Sequence, residues 1–225
     1  MKIGIVIAVE SELKSFLESK YKVEIINIDN RIVYKTIINN HEIYALKSGC
    51  GEIDASIATQ YLITKYNVEI ILNYGVTGAL VKDLKVSDLF VVKGAINHDF
   101  DISCFNDILP HQYSDLDTVE IPLDKELIEL AKKIKPDLKE CFVASGERFI
   151  EDKNDKINLA SLNCLICDME IAGIARTCFL NKVRCLSIKC ISDTFDGDGS
   201  MFVENVKRSS DKAFRLLNEI LLELN

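Results

Sequence analysis

The stretch Lys2-Ile3-Gly4-Ile5-Val6-Ile7-Ala8-Val9-Glu10-Ser11-Glu12 sets the pattern on which this chain is built. A short apolar run, typical of a buried β-strand, is followed closely by two carboxylates. Two later segments repeat the pattern: Asp168-Met169-Glu170 follows the apolar run 165–167, and Ile191-Ser192-Asp193 ends the run that begins at Cys185. In an α/β sheet, residues that follow the strands gather at one edge and build the active site. We therefore expect these three segments to lie close together.

Short apolar runs alternate along the chain with segments of helical period. Strands are predicted at 2–7, 21–28, 31–38, 42–47, 69–74, 89–92, 142–144, 165–167 and 185–191. Helices are predicted at 10–19, 53–66, 124–134, 170–180 and 203–223. Turns at 29–30 and 39–40 join three strands into an antiparallel meander, and glycine turns are expected at 48–51 and 75–78. The predicted fold class is α/β: a single three-layer domain over residues 1–225, with a mixed central β-sheet flanked by helices.

The composition excludes several classes of function. Acidic residues outnumber basic ones by 35 to 27, which gives a net charge of −8. We therefore expect no nucleic-acid partner. The N-terminal segment enters a strand directly, with neither the apolar length of a membrane span nor the pattern of a secretion signal. We expect no membrane partner and a cytoplasmic location.

The chain has eight cysteines, and Cys164-Leu165-Ile166-Cys167 forms a CxxC motif. Most of these cysteines lie in apolar surroundings, where a reduced thiol packs as a small hydrophobic group. A structural zinc site needs a second pair of ligands, and the histidines offer no paired motif. A redox CxxC usually opens a helix, whereas this one lies in a predicted strand. Packing is therefore favoured over a metal or redox role, and no metal or cofactor is expected.

The three acidic segments together carry the chemistry. Their carboxylates are suited to flank a glycosidic bond, and Met169 offers an apolar contact for one face of a sugar. This combination resembles the purine nucleosidase and phosphorylase superfamily. Within it, the chain is most similar to nucleosidases that hydrolyse 5'-methylthioadenosine and S-adenosylhomocysteine. The resemblance extends from residue 1 to about 222, except near 106–120.

The resemblance implies a nucleoside phosphorylase-like fold and three catalytic residues. Asp193 would protonate adenine N7, Glu12 would activate water as a base, and Glu170 would hold the ribose hydroxyls. The purine supports an acid at this place, because adenine presents N7 as an acceptor beside the N6–H donor, and a protonated carboxyl matches both. Each residue also has an ordinary explanation from the sequence alone: a cap or solvated turn for Asp193, and a first-turn helix acid for Glu12 and for Glu170.

The resemblance also assigns residues to the substrate pocket. Phe149 would stack on the adenine, and the main chain of Ile150 would read its edge. The other substrate-binding residues expected in the same subunit are Val9, Cys50, Val76, Gly78, Met169, Ser192 and Phe202. Among these, Val76 stands where the family pattern leads us to expect a hydroxyl residue, which removes a donor near the nucleophile.

One further segment, residues 97–105, resembles a part of the family that reaches into the neighbouring subunit. Ile102 and Phe105 of this segment would line the alkylthio slot of the partner's pocket. We therefore expect a homodimer that binds a small-molecule nucleoside substrate.

Two other functions stay open. A purine nucleoside phosphorylase of the same fold would use phosphate instead of water, and a nucleoside-binding protein would keep the pocket without the chemistry. The presence of Glu12, Glu170 and Asp193 together favours the hydrolase, because passive binding needs neither an acid nor a base. The sequence does not fix the 5' substituent, so an aminodeoxyfutalosine-like nucleoside is also open as the physiological substrate.

Overall fold

The structure, a computed structural model, describes residues 1–105 and 107–224. Within these residues there are ten strands: β1 (Lys2–Ile7), β2 (Glu24–Ile28), β3 (Arg31–Ile38), β4 (His41–Lys47), β5 (Ile70–Ala79), β6 (Leu89–Asn97), β7 (Ile121–Pro122), β8 (Lys139–Ser145), β9 (Cys164–Asp168) and β10 (Arg184–Asp193). The same residues contain six helices: α1 (Glu10–Leu17), α2 (Glu52–Tyr66), α3 (Lys125–Ile134), α4 (Lys153–Ala160), α5 (Ile171–Asn181) and α6 (Gly199–Glu223).

The strands form one mixed sheet in the order β10-β6-β8-β9-β5-β1-β4-β3-β2, and the short β7 pairs with β6. Strand β1 is parallel to both of its neighbours, β4 and β5, whereas β2, β3 and β4 form the predicted antiparallel meander. Strand β5 also pairs in parallel with β10 and, at Gly78 and Ala79, in antiparallel with β9. These pairings bring the carboxyl ends of β1, β5, β9 and β10 to one region of the sheet.

Helices cover the sheet in two groups, which confirms the predicted three-layer α/β architecture. One group is α2 and α5, which pack on each other and contact β1, β4, β6 and β10. The other group is α1, α3 and α6, of which α6 packs along β5 and β10. The central strands β1, β5 and β10 are almost wholly buried, and Ile3, Ile5 and Leu186 are 0% exposed. Burial of this apolar surface is the main stabilising contribution to such a core.

The segment Gly75-Val76-Thr77-Gly78 is the clearest difference from the sequence-based prediction. The sequence predicts a glycine turn after a short strand, but these residues lie inside β5, which extends to Ala79. That prediction is wrong because the two glycines serve close packing and not chain reversal. A Cβ atom at Gly78 would lie 2.8 Å from Oδ2 of Asp193, and one at Gly75 would overlap the Glu12 carboxylate.

Other local predictions are confirmed where the backbone conformation is diagnostic. Asp29, Asn30, Asn39 and Asn40 all have positive φ, as tight turns between the meander strands require. The glycine turn before α2 is also present, with φ of 102° at Gly51. Helix α4 and the short β7 escaped prediction, since few apolar residues mark either one.

The two cysteines of the CxxC motif are buried in β9. Burial raises the pKa of the Cys164 thiol to about 12, so this thiol stays protonated and packs as an apolar group. In the described part of the chain, no helix has the length and apolar character needed to cross a membrane.

Candidate active site

A cavity of about 410 Å³ opens at the carboxyl ends of β1, β5, β9 and β10. This volume lies in the range usual for small-molecule sites. Its lining includes twelve predicted site residues: Val9, Glu12, Cys50, Val76, Gly78, Phe149, Ile150, Met169, Glu170, Ser192, Asp193 and Phe202. The three acidic segments, far apart in sequence, therefore meet in one place, as expected.

Glu12 lies at the inner end of the cavity in the first turn of α1. Its carboxylate accepts hydrogen bonds from three main-chain N–H groups: those of Ala8 at 3.1 Å, Val9 at 3.2 Å and Val76 at 2.9 Å. Burial raises the pKa of Glu12, although Lys189 and these N–H donors oppose the effect. A buried carboxylate with a raised pKa and a fixed orientation has the properties of a general base.

Glu170 caps the N-terminal end of α5 and faces the same cavity. Its carboxylate accepts hydrogen bonds from the main-chain N–H groups of Gly51 and Met169, each at 3.3 Å. Burial raises the pKa of Glu170, and the neighbouring Asp168 raises it further. Gly51 makes this contact with a φ of 102°, a conformation that residues with a side chain rarely adopt, so the position favours glycine.

Lys189 is a buried cation beneath this pair of glutamates. It is 2% exposed and forms an ion pair of 2.7 Å with Asp168. Burial alone would lower the pKa of Lys189, but Asp168, Glu170 and Glu12 outweigh burial and raise it, so the side chain stays charged. On the sheet, Lys189 pairs with Gly75, the residue that leaves space for the Glu12 carboxylate. The positive charge of Lys189 therefore partly neutralises the acidic end of the cavity.

Asp193 ends β10 on the other side of the cavity. It is 2% exposed, and its Oδ1 accepts a hydrogen bond of 2.7 Å from the Ser192 hydroxyl. Burial raises the pKa of Asp193, whereas the Ser192 hydrogen bond and the charge of Lys156 oppose the rise. Asp193 is the last residue of a strand, and its side chain is not part of a solvated turn. The ordinary explanation considered for this aspartate therefore fails.

Apolar side chains close the cavity around these carboxylates. The rings of Phe149 and Phe202 meet edge to face with centroids 5.8 Å apart, so the loop after β8 and the first turn of α6 together form one wall. Val9, Val76 and Met169 line the same space. Such a surface suits a flat aromatic base and the apolar part of a substituent.

Ile102 and Phe105 do not line this cavity, and their role in another subunit's pocket stays a prediction. Phe105 is 83% exposed, which is unusual for so large an apolar side chain. Beyond Phe105, the same loop is held to its own subunit by Arg176. Arg176 of α5 forms an ion pair with Asp115 at 2.8 Å and also lies over the ring of Tyr113.

The sequence did not predict every residue of the site. Lys189 was not singled out, although a charged residue within the apolar run Cys185–Ile191 was a usable signal for a buried ion pair. Thr77 also lines the cavity and was not singled out, whereas Arg148, which lines it too, belongs to the loop after β8 that was expected in the active site. Arg148 forms an ion pair with Asp155 at 2.7 Å, so its charge is already compensated at the rim.

Comparison with known proteins assigns this architecture to a family. The family model described as "Phosphorylase superfamily" matches residues 2–222. The chain is 32% identical over 230 residues to the aminodeoxyfutalosine nucleosidase of Helicobacter pylori strain J99, with 99% of each chain covered. It is 30% identical over 210 residues to the 5'-methylthioadenosine/S-adenosylhomocysteine nucleosidase of Staphylococcus saprophyticus, with 90% of each covered.

Solved structures agree with this assignment. The crystal structure of a Helicobacter pylori 5'-methylthioadenosine/S-adenosylhomocysteine nucleosidase superposes with a TM-score of 0.94 and 32% identity, covering 100% of this chain and 99% of that one. That structure contains a bound ligand in which an amino-pyrrolopyrimidine is joined to a pyrrolidine with a thioether arm. On sequence and fold together, the chain belongs to the phosphorylase superfamily.

Proposed function

We propose that this protein hydrolyses the N-glycosidic bond of adenine thionucleosides, such as 5'-methylthioadenosine and S-adenosylhomocysteine, to adenine and a thioribose. The observation that carries the proposal is the meeting of Glu12, Glu170 and Asp193 in one cavity, each buried and held by different partners. The names of the related nucleosidases point to the same chemistry.

Asp193 would act on the leaving group. The adenine anion is a poor leaving group unless N7 is protonated. A buried carboxyl group with a raised pKa can deliver that proton. Its second oxygen would accept the N6–H of the base, and Phe149 would stack on the purine face. Ser192 donates to Oδ1 of Asp193, and the other carboxylate oxygen, Oδ2, faces Gly78.

Glu170 would hold the ribose. A carboxylate can accept hydrogen bonds from two vicinal hydroxyls, and Met169 would pack against the apolar face of the sugar. Positive charge develops on the ribose ring as the glycosidic bond breaks. This positive charge favours the ionised form of Glu170, so its carboxylate is more strongly stabilising in the transition state than in the ground state.

Glu12 would take a proton from the attacking water, and the site favours water over phosphate. The inner end of the cavity holds Glu12 and Glu170 above the buried Asp168, against the single charge of Lys189. A phosphate dianion would meet net negative charge there, whereas it needs charge-assisted donors. The main-chain N–H of Val76 is also occupied, since it donates to Glu12.

The active form proposed is a cytoplasmic homodimer in which residues 1–225 act as one domain. Phe105 and Ile102 would complete the 5' end of the partner's pocket, which explains why Phe105 is exposed on its own subunit. An isologous dimer would complete both pockets at once, because the same segment is offered by each copy.

The test is to incubate the purified protein with 5'-methylthioadenosine, S-adenosylhomocysteine, adenosine and inosine, with and without phosphate, and to measure free base and sugar product. We expect adenine release without phosphate and free methylthioribose as product. Inosine should be far poorer, because its O6 acceptor would face the Asp193 site unpaired, at a cost of about 1–3 kcal/mol.

Contrary results would point to the other functions. Strict dependence on phosphate with a sugar 1-phosphate product would indicate a phosphorylase, and Arg148 would be the first residue to test. Tight nucleoside binding without release of base would indicate a binding protein. Adding an aminodeoxyfutalosine-like nucleoside to the panel would test the substrate named for one of the relatives.

A further inference from the structure

Lys156 is a fully buried lysine outside the proposed catalytic groups. It lies in α4 and is 0% exposed. Its ammonium group donates to three main-chain carbonyls, those of Thr194, Phe195 and Gly197, each at 3.1 Å. An ammonium group has three donors, so all of them are used. Burial of a charge is costly unless its hydrogen bonds are satisfied, and here the partners are all neutral carbonyls.

The three carbonyls belong to the turn that directly follows Asp193. The N–H of Gly197 donates to the carbonyl of Thr194 at 2.9 Å and closes this turn, and Asp198 then caps α6. The turn therefore joins the proposed acid at the end of β10 to Phe202 in the first turn of α6. Lys156 is the group that fixes its main chain to a separate element, α4.

We propose that Lys156 is a positioning residue for glycosidic cleavage: by holding the carbonyls of the 194–197 turn, it sets the direction of the Asp193 carboxyl and supplies a fixed positive charge beside it. The inference rests on the proposed function, because it takes Asp193 as the proton donor. A surface lysine of the same helix provides the contrast. Lys153 bonds the side chain of Asp196 at 2.6 Å and leaves the main chain of the turn untouched.

The charge has a measurable consequence. The groups that face Asp193 are Lys156 from α4, Glu151 from the segment before α4, Ser192 from its own strand and Cys167 from β9. Burial raises the pKa of Asp193, and Lys156 opposes that rise. As an acid, Asp193 is active when protonated, so turnover falls as pH rises through its pKa. Removing the positive charge raises this pKa and moves the falling limb to higher pH.

The experiment compares Lys156→Met and Lys156→Gln with Lys153→Met as the matched control. The glutamine variant removes the charge but keeps two N–H donors for the carbonyls. For each protein, kcat and KM for 5'-methylthioadenosine are measured across the pH range, together with the thermal unfolding midpoint. We expect both Lys156 variants to lose about 10-fold or more in kcat and to move the falling limb to higher pH. Lys153→Met should leave both unchanged.

The outcomes separate the two proposals. If the wild-type protein releases no adenine from any nucleoside, the proposed function fails. If the wild type is active and the folded Lys156 variants keep its kcat and its pH profile, the positioning role is overturned and the function stands. If neither Lys156 variant folds, the lysine serves the stability of the fold, which also overturns the positioning role.

Discussion

At the scale of single residues, the site depends on carboxyl groups whose pKa is raised by burial. Water favours the charged form of a carboxyl group, so removal from water raises its pKa. This is the dominant cause for Glu12, Glu170 and Asp193 alike. What separates the roles is the set of partners: main-chain donors surround Glu12, whereas Asp193 is bonded by one hydroxyl.

Replacement of Asp193 by asparagine tests the acid directly. The amide keeps the shape of the side chain but cannot deliver a proton, so we expect normal nucleoside binding and a loss of about 100-fold or more in kcat. Calorimetric titration and adenine release measure the two properties. Asp196→Asn, in the exposed part of the same turn, serves as the control and should retain its turnover. An Asp193→Asn variant with more than about a tenth of the wild-type turnover would contradict the assignment.

The same scale shows why some residues could be predicted and others could not. Glu12, Glu170 and Asp193 stand at strand ends, where a sequence pattern can be recognised. Lys156 lies in a short polar helix with no such mark, and its partners are main-chain carbonyls 38 to 41 residues away. Every residue has a main-chain carbonyl, so no sequence pattern predicts which carbonyls Lys156 binds.

At the scale of elements, β5 combines two tasks that usually belong to different segments. It is an almost fully buried strand of the sheet, and its glycines make the space that two carboxylates occupy. In the sequence, paired glycines are a strong signal for a turn. The packing of β5 between β1 and β10 overrides that signal, because the strand continues to pair with β10 through Gly75 and Gly78.

A methyl group at Gly75 tests this use of space. Gly75→Ala would place a Cβ atom where the Glu12 carboxylate lies, so Glu12 must leave its N–H donors. We expect a loss of about 10-fold or more in kcat, alongside a destabilisation of about 1–3 kcal/mol. Gly4→Ala in β1 is the matched control, because its Cβ would meet Cδ1 of Ile71, the flexible end of a core side chain. It should lose stability but keep its turnover, and equal kcat in both variants would contradict the argument.

At the scale of the whole molecule, the buried carboxyl groups make stability depend on pH. Burial raises the pKa of Glu52 to about 8, and Asn97 donates to its carboxylate at 2.8 Å. The pKa of Glu170 is raised as well. A group with a higher pKa in the folded state binds more protons folded than unfolded. Its contribution is therefore present below the unfolded pKa and is lost as pH rises through the folded one.

We accordingly expect the unfolding midpoint of the ligand-free protein to fall as pH rises from about 6.5 to about 8. Above pH 6.5 the depressed pKa of His98 no longer contributes an opposing trend. Glu52→Gln removes one of the groups responsible and should flatten the decline. Glu42→Gln, at an exposed carboxylate whose pKa is lowered by Lys35, should not alter it. A midpoint that rises over this interval in the wild type would contradict the expectation.

The proposed active molecule is a pair of chains. Complementation between two inactive variants tests whether each chain completes the other's pocket, which a molecular mass alone would not show. Phe105→Asp should abolish the pocket offered to the partner, and Asp193→Asn should abolish the chemistry in its own pocket. In a mixed dimer, one site has an intact Asp193 together with Phe105 from the other subunit. Coexpression of the two variants should therefore restore adenine release to about a quarter of the wild-type rate, whereas each variant alone stays inactive. If Phe105→Asp alone turns over thionucleosides at the wild-type rate, the exposed ring has no role in a neighbouring pocket.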